Sequence, residues 1–373
     1  MKALDFFCGA GGLTRGLLDA GIEVIAGIDA DLRCCDTYAK NNPGAVFLHR
    51  DISSIDETTL RQLVGPIDPE NLLIAGCAPC QPFSKQRKPK QANARNRLRR
   101  KSDAKLLGEL CRIIEAVKPA HVLVENVPGL TKVPGFSTYR RLVRMLRING
   151  YNVDEGVLDA KHFAVPQSRR RFVLVASRTK RVALPEPTHG PGLLPYRTVR
   201  ESIVHFPPLA AGTRSAIIPN HVAACLSELN IRRIASTPAD GGDRRTWSKS
   251  LVLDCHKGEY DGHTDVYGRM FWNRPAPTLT SKCNSLSNGR YGHPEQDRAI
   301  SLREAASLQT FPDSYVFHGL DQQIARQVGN AVPVAFARAL GSALLAAPSK
   351  VIPSSIRNTA RLNAVRIAAS SRR

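Results

Sequence analysis

Two cysteines lie close together in the segment Gly76-Cys77-Ala78-Pro79-Cys80-Gln81-Pro82-Phe83-Ser84, which follows the short apolar run Leu72 to Ala75. A thiol attacks carbon only as its thiolate, so a catalytic cysteine needs a fixed, polar setting at the edge of a sheet. Prolines at 79 and 82 and Gln81 give Cys80 a rigid presentation, unlike the ordinary fate of a cysteine as a small buried hydrophobe. The C-x-x-C spacing also suits a redox pair or half of a zinc site. No second pair at ligand spacing follows, so no metal is expected. The nine cysteines are otherwise scattered and odd in number, which fits a reducing compartment.

Other groups could serve the same chemistry. Val122-Leu123-Val124-Glu125-Asn126-Val127-Pro128-Gly129 ends a strand on a carboxylate able to act as an acid or to bond a base ring; its bland alternative is a solvated strand-end charge. Gln167-Ser168-Arg169-Arg170-Arg171 precedes another strand, and its arginines suit an anion or a solvated face. Asp5-Phe6-Phe7-Cys8-Gly9-Ala10-Gly11-Gly12 joins a strand to a helix, where glycines let the backbone approach a ligand and free N–H groups face it. Asp29, ending the next strand, is placed to bond a ribose hydroxyl. The strand–turn–helix–strand–acid order points to a nucleoside cofactor, and Gly9-x-Gly11-Gly12 departs from the G-x-G-x-x-G of NAD sites.

The elements that must position these groups alternate. Strands are expected at 2–7, 24–28, 72–75, 122–124 and 172–176, and helices near 12–20, 106–117 and 139–149, the last stopped by Gly150. That order predicts an α/β fold with a mostly parallel sheet covered on both faces. After about residue 185 Pro, Gly and Thr become frequent and helical periodicity fades until Ser301, which predicts an irregular, β-leaning module; helices return at 302–308 and 334–345. The end of the chain, mixing Ala, Ser and Arg, is expected to be mobile.

The net charge of +21 favours a polyanionic partner, and its placement sharpens the point. Nine Lys and Arg and no acid fall between Lys85 and Lys101, and a second acid-free basic stretch runs from Lys350 to Arg373. Localised basic segments suit phosphate contacts better than general solubility. No run of 18 or more apolar residues predicts a membrane span, and the Gly-rich start does not read as a secretory signal.

Taken together, the segments resemble the DNA (cytosine-5) methyltransferases of the bacterial restriction–modification type, in the family's order and over most of the chain. DFFCGAGGL resembles the cofactor loop, PCQPFS the nucleophile loop, ENVPGL the Glu-Asn-Val motif, and QSRRR the Gln-x-Arg-x-Arg element. Arg274-Pro-Ala-Pro-Thr-Leu-Thr resembles the motif closing the recognition region, and Gln327-Val328-Gly329-Asn330-Ala331-Val332-Pro333 the last motif. The resemblance implies a Rossmann-like catalytic domain at 1–186 completed by 320–347, a target-recognition domain at 187–319, and a basic tail at 348–373. It implies S-adenosyl-L-methionine as co-substrate, with Phe6, Gly9, Gly11, Asp29, Asp51, Ile52, Pro79 and Asn330 as its contacts. It implies Cys80, Glu125, Arg169 and Arg171 as catalytic groups acting on a cytosine flipped out of duplex DNA. Position 30 departs from the pattern: Ala30 stands where a large residue would cover adenine. Arg232, Arg233, Arg244, Arg245, Lys249 and Lys257 are expected near the duplex. A cytoplasmic, nucleoid-associated monomer follows, with a cognate restriction endonuclease acting separately. A tRNA cytosine-5 methyltransferase on the same scaffold and a catalytically silent DNA-binding relative are the alternatives, and an NAD enzyme would need a hydride-transfer site that is not seen.

Overall fold

The computed structural model describes residues 1–64, 66, 68–78, 94–131, 137–257 and 265–350. Pro79, Cys80, most of the basic run after it and the tail beyond Lys350 lie outside the described residues.

The first half winds into one sheet. The elements run β1 (Lys2–Phe6), α1 (Gly12–Asp19), β2 (Glu23–Asp29), α2 (Cys35–Asn41), β3 (Val46–His49), α3 (Glu57–Val64), β4 (Leu72–Gly76), α4 (Ala94–Val117), β5 (His121–Asn126), α5 (Ser137–Ile148), β6 (Asn152–Asp159) and β7 (Arg170–Ser177). The seven strands are ordered β3-β2-β1-β4-β5-β7-β6. The first five are parallel, and β7 runs antiparallel to both β5 and β6. Short apolar runs such as Leu-Leu-Ile-Ala-Gly of β4 form central strands because both faces are covered, so no polar alternation is needed. Val122 and Val124 of β5 enter the core under α4 and α5 with Leu110, Ile114, Leu142 and Leu146, while Leu123 enters the core on the opposite face.

That opposite face is closed from the far end of the chain. After α8 (Leu302–Leu308) and α9 (Asp321–Asn330), α10 (Val334–Ala346) lies along α1. A Cβ at Gly16 would stand 2.4 Å from Ala337 Cβ and 2.5 Å from Val334 O, so only glycine permits this approach. The stretch Asp321–Ala346 is long and apolar enough to cross a membrane, with mean hydropathy 1.4 in its most apolar window. It is instead two helices broken at Ala331–Pro333, and their apolar sides are in the core.

The region expected to lean towards β structure does not: between β7 and Lys350 no strand forms among the described residues, only isolated bridges such as Arg214–Val222 and Arg269–Gly292. Prolines and glycines without a period-2 apolar pattern cannot sustain a ladder. Two short helices, α6 (Val199–Ile203) and α7 (Glu228–Ala235), punctuate it. Its order comes from a core that gathers Val199, Trp272, Leu279 and Tyr291 with α8 and α9, from a small cluster around Ile234, Trp247 and Tyr267, and from buried ion pairing. Arg298 forks onto Glu304 with two 2.7 Å bonds, and Glu304 also accepts from Ser301 N, capping α8. Ser349 bridges Lys180, and Lys350 N donates to Thr179 O, so the expected mobile tail begins with docked residues.

Candidate active site

At the carboxyl edge of the parallel strands a cleft of about 1430 Å3 opens. Sites form at this edge because loops and helix N-termini converge there. Phe6, Gly9, Asp29, Asp51, Ile52, Glu125, Arg169, Arg171 and Asn330 all line it, together with Phe7, Ala30, Arg50, Cys77 and Asn126.

One end carries the glycine-rich turn. Phe7 N and Cys8 N donate to Ile28 O at 2.8 and 3.3 Å, and Gly9 N donates to Asp29 Oδ2 at 2.8 Å. Asp31 N donates to Asp29 Oδ1 at 2.8 Å, so two amides fix the Asp29 carboxyl at the wall. Burial raises its pKa above the usual carboxylate range. Asp51 is held by Ser53 N and Ser53 Oγ at 2.8 and 2.7 Å through one oxygen, Oδ1. Gly9 has φ +52°, and nothing lies within 4 Å of where its Cβ would be, an open approach for a ligand. Gly11, also left-handed at φ +82°, does not line the cleft; a Cβ there would meet Asn42 and Tyr315, so it serves packing. Phe6 is fully buried in the core, whereas Phe7, at φ 60°, is half-buried at the cleft wall. Left-handed backbone at an aromatic residue costs of order 1–3 kcal/mol and marks a constrained site. Phe7 was missed because its neighbour has the same side chain.

At the other end Glu125 and Arg171 form an ion pair of 2.9 Å, with side chains 9% and 13% exposed. The antiparallel register explains the meeting. Glu125 pairs with Val173, so Arg171, two residues earlier on β7, is its diagonal neighbour on the same face. Arg169 points elsewhere. Its head is buried and donates to Leu279 O, Gly329 O and Ala331 O at 2.9, 3.1 and 3.0 Å. Burial, helped by Arg171, pulls its pKa down to about 9. Gln167 continues the same seam: its Nε2 donates to Gln309 Oε1 at 2.9 Å and its Oε1 accepts from Leu279 N at 2.9 Å. Both arginines line the cleft, but Arg171 pairs with Glu125 while Arg169 clamps three chain segments together.

Cys77 lines the cleft, and burial, then the charge of Glu125, pushes its thiol well above the usual range. Cys8 is raised in the same way and Cys34 to about 12, both chiefly by burial, so these three stay thiols. Asn126 is the other group overlooked in the sequence. Its side chain donates to Ala78 O at 3.0 Å, and its Oδ1 accepts from Val127 N at 2.8 Å, tying the end of β5 to the loop that leads into Pro79 and Cys80. Among the basic residues expected near a duplex, Arg232 and Lys249 are exposed. Arg233 turns inward to Leu251 O, Arg245 pairs with Asp243, and Lys257 pairs with Asp254.

Residues 1–346 match the family described as C-5 cytosine-specific DNA methylase. The chain belongs to this family. It is 39% identical over 346 residues to Type II methylase M.HgiDII of Herpetosiphon aurantiacus, covering 91% of this chain and 94% of that one. It is 32% identical to Type II methyltransferase M1.HphI of Haemophilus parahaemolyticus, covering 92% and 86%. A structure described as a prophage-encoded DNA modification methyltransferase of E. coli shares the fold at TM-score 0.71 and 20% identity, covering 92% and 98%. DNMT2 of Spodoptera frugiperda does so at TM-score 0.59 and 16% identity, covering 92% and 99%. The chain is therefore a DNA (cytosine-5) methyltransferase of α/β Rossmann-like fold, and membership implies S-adenosyl-L-methionine as methyl donor and DNA as acceptor. The cleft fits the donor: fixed carboxylates suit a ribose diol and an exocyclic amine, and Phe7 and Ile52 supply apolar surface.

Proposed function

We propose that this enzyme methylates carbon 5 of a cytosine flipped out of a specific short duplex sequence, with Cys80 as nucleophile, Glu125 and Arg171 around the base, and residues 187–319 reading the DNA. The observation that carries the reading is the Glu125–Arg171 pair in the same cleft as Asp29, Asp51 and Asn330. Carbon 5 is a weak nucleophile. Addition of the Cys80 thiolate to carbon 6 makes it enamine-like. Glu125, protonated or sharing a proton with ring nitrogen 3, stabilises the negative charge that builds in the ring, and Arg171 polarises the exocyclic oxygen. The bound co-substrate supplies an electrophilic methyl group on a sulfonium. Carbon 5 attacks that methyl, the sulfonium leaves as a neutral thioether, and loss of the carbon 5 proton to a base or water then expels the cysteine as thiolate and restores the ring double bond.

Cys77 supports the division of labour, because a thiol raised by burial beside a carboxylate leaves nucleophilic attack to its partner in the pair. Arg169 holds the segments around the base rather than the base itself, consistent with its three carbonyl partners. The enzyme acts as a cytoplasmic monomer at the nucleoid and protects host DNA against a separate restriction endonuclease.

The test is transfer of tritium from labelled S-adenosylmethionine to mixed genomic DNA and to tRNA, by wild type and Cys80→Ala, with bisulfite sequencing of the DNA. Label in DNA, lost in the variant and mapped to one short sequence, is the expected result. Label in tRNA alone moves the enzyme to an RNA substrate. Label in neither, with cofactor bound, means that catalysis is lost.

A further inference from the structure

One wall of the nucleoside end of the cleft is built by Ile52, 4% exposed. A gap faces the cleft at Ala30, directly after Asp29, where the side chain ends at Cβ. Three neighbours could fill it. Leu32 is exposed but does not line the cleft. Arg33 lines it but is committed, its Nε and NH2 donating to the Asp31 carboxylate at 2.6 and 2.7 Å.

The third is Arg50. The β2–β3 ladder ends at the pair Asp29–His49, and Arg50 N donates to Asp29 O at 3.1 Å, which closes that last pair and fixes the Arg50 backbone beside β2. Arg50 and Ala30 are thus the next residues after the ends of two neighbouring strands, and both line the cleft. Arg50 is exposed and lines the cleft, its NH1 donates to His49 O at 3.0 Å, and no carboxylate pairs with it among the described residues. Asp51, one residue on, is occupied with Ser53.

We infer that Arg50 covers the adenine ring of the co-substrate, its guanidinium stacked over the purine where a large side chain at position 30 would otherwise lie. The inference rests on reading the cleft as the S-adenosylmethionine site. A guanidinium is planar and weakly hydrated and stacks flat on π faces, whereas an ammonium acts there only as a compact point charge. Arg50 is thus a cofactor-binding residue that the family pattern does not announce, and the alanine at 30 makes room for it.

Calorimetric binding of S-adenosylhomocysteine, without DNA or turnover, tests this on wild type, Arg50→Ala, Arg50→Lys and the double variant Arg50→Ala/Ala30→Trp. Arg50→Ala is expected to weaken binding about 5-fold. Arg50→Lys should stay weakened, and the double variant should recover wild-type affinity, with ligand-free melting unchanged in all. Equal affinity for Arg50→Ala and a binding wild type overturns the role of Arg50 alone. Wild-type affinity in Arg50→Lys overturns stacking in favour of charge. Failure of the tryptophan to restore binding overturns the shared ring face. A wild type that does not bind the ligand overturns the reading of the cleft itself.

Discussion

Arg171 Nε lies 2.9 Å from Glu125 Oε1 because an antiparallel strand begins where a parallel one ends. An ion pair shielded from water is costly to assemble and more costly to break on one side, so each member depends on the other for its position. Glu125→Gln should cut the single-turnover methylation rate by about 10²- to 10⁴-fold while S-adenosylhomocysteine affinity holds within about two-fold. A variant with near wild-type turnover would remove Glu125 from the chemistry.

Arg169→Met should behave differently. Three carbonyls lose their donor and a buried seam opens, so chemical denaturation should show a loss of roughly 3–5 kcal/mol, with activity falling as stability falls. A variant that melts like wild type yet fails in catalysis would show that Arg169 touches the substrate after all.

Gly329 tests the same seam from the other side. A Cβ there would stand 2.0 Å from Thr280 O, backbone that cannot swing aside. Gly329→Ala should destabilise by about 1–3 kcal/mol through overpacking and separate the 278–281 segment from α9. Limited proteolysis should then cut near 278–281 faster than in wild type; unchanged cleavage and melting would mean the seam yields easily.

Asp5 predicts a pH effect. Its carboxyl is fully buried, Oδ2 accepts from Thr14 Oγ1 at 2.7 Å, Oδ1 has no partner, and burial raises the pKa to about 7. A carboxyl whose folded pKa exceeds its unfolded value binds more protons in the native state. Its contribution is therefore fully present below about pH 4 and is lost as pH rises through about 7, by ~4 kcal/mol at most. Asp5→Asn should flatten the pH dependence of unfolding between those limits and gain on wild type at pH 8. Parallel curves for the two proteins would show that Asp5 titrates normally.

The sequence was most legible where local chemistry and chain order coincide. Strand-ending residues such as Asp29 and Glu125 were readable because apolar runs stop at them, and the structure lines one cleft with both. The different fates of Arg169 and Arg171 were not readable. Alternation puts both on one side of the chain, and only the partners contributed by 279, 329 and 331 decide that one is clamped while the other pairs with Glu125. The stretch from about 185 to Ser301 is irregular, as its Pro, Gly and Thr content suggests, but it lacks the expected β character among the described residues: its order rests on contacts such as Arg298–Glu304 that carry no periodic signature. Ala30 was legible as a departure, while its neighbour Arg50 was not, because a ladder that joins residues twenty apart leaves no local trace.

The packing of α1 against α10 has a consequence for biosynthesis. During synthesis α1 exposes Leu13 and Leu17 until α10 arrives to cover them. At elongation rates of about 5–20 residues per second, that wait lasts tens of seconds. The glycine turn before α1 and Asn330 before α10 likewise meet only then. A chain cut short before α10 is consequently expected to be inert, and the arrival of α10 becomes the moment at which the enzyme first competes for DNA.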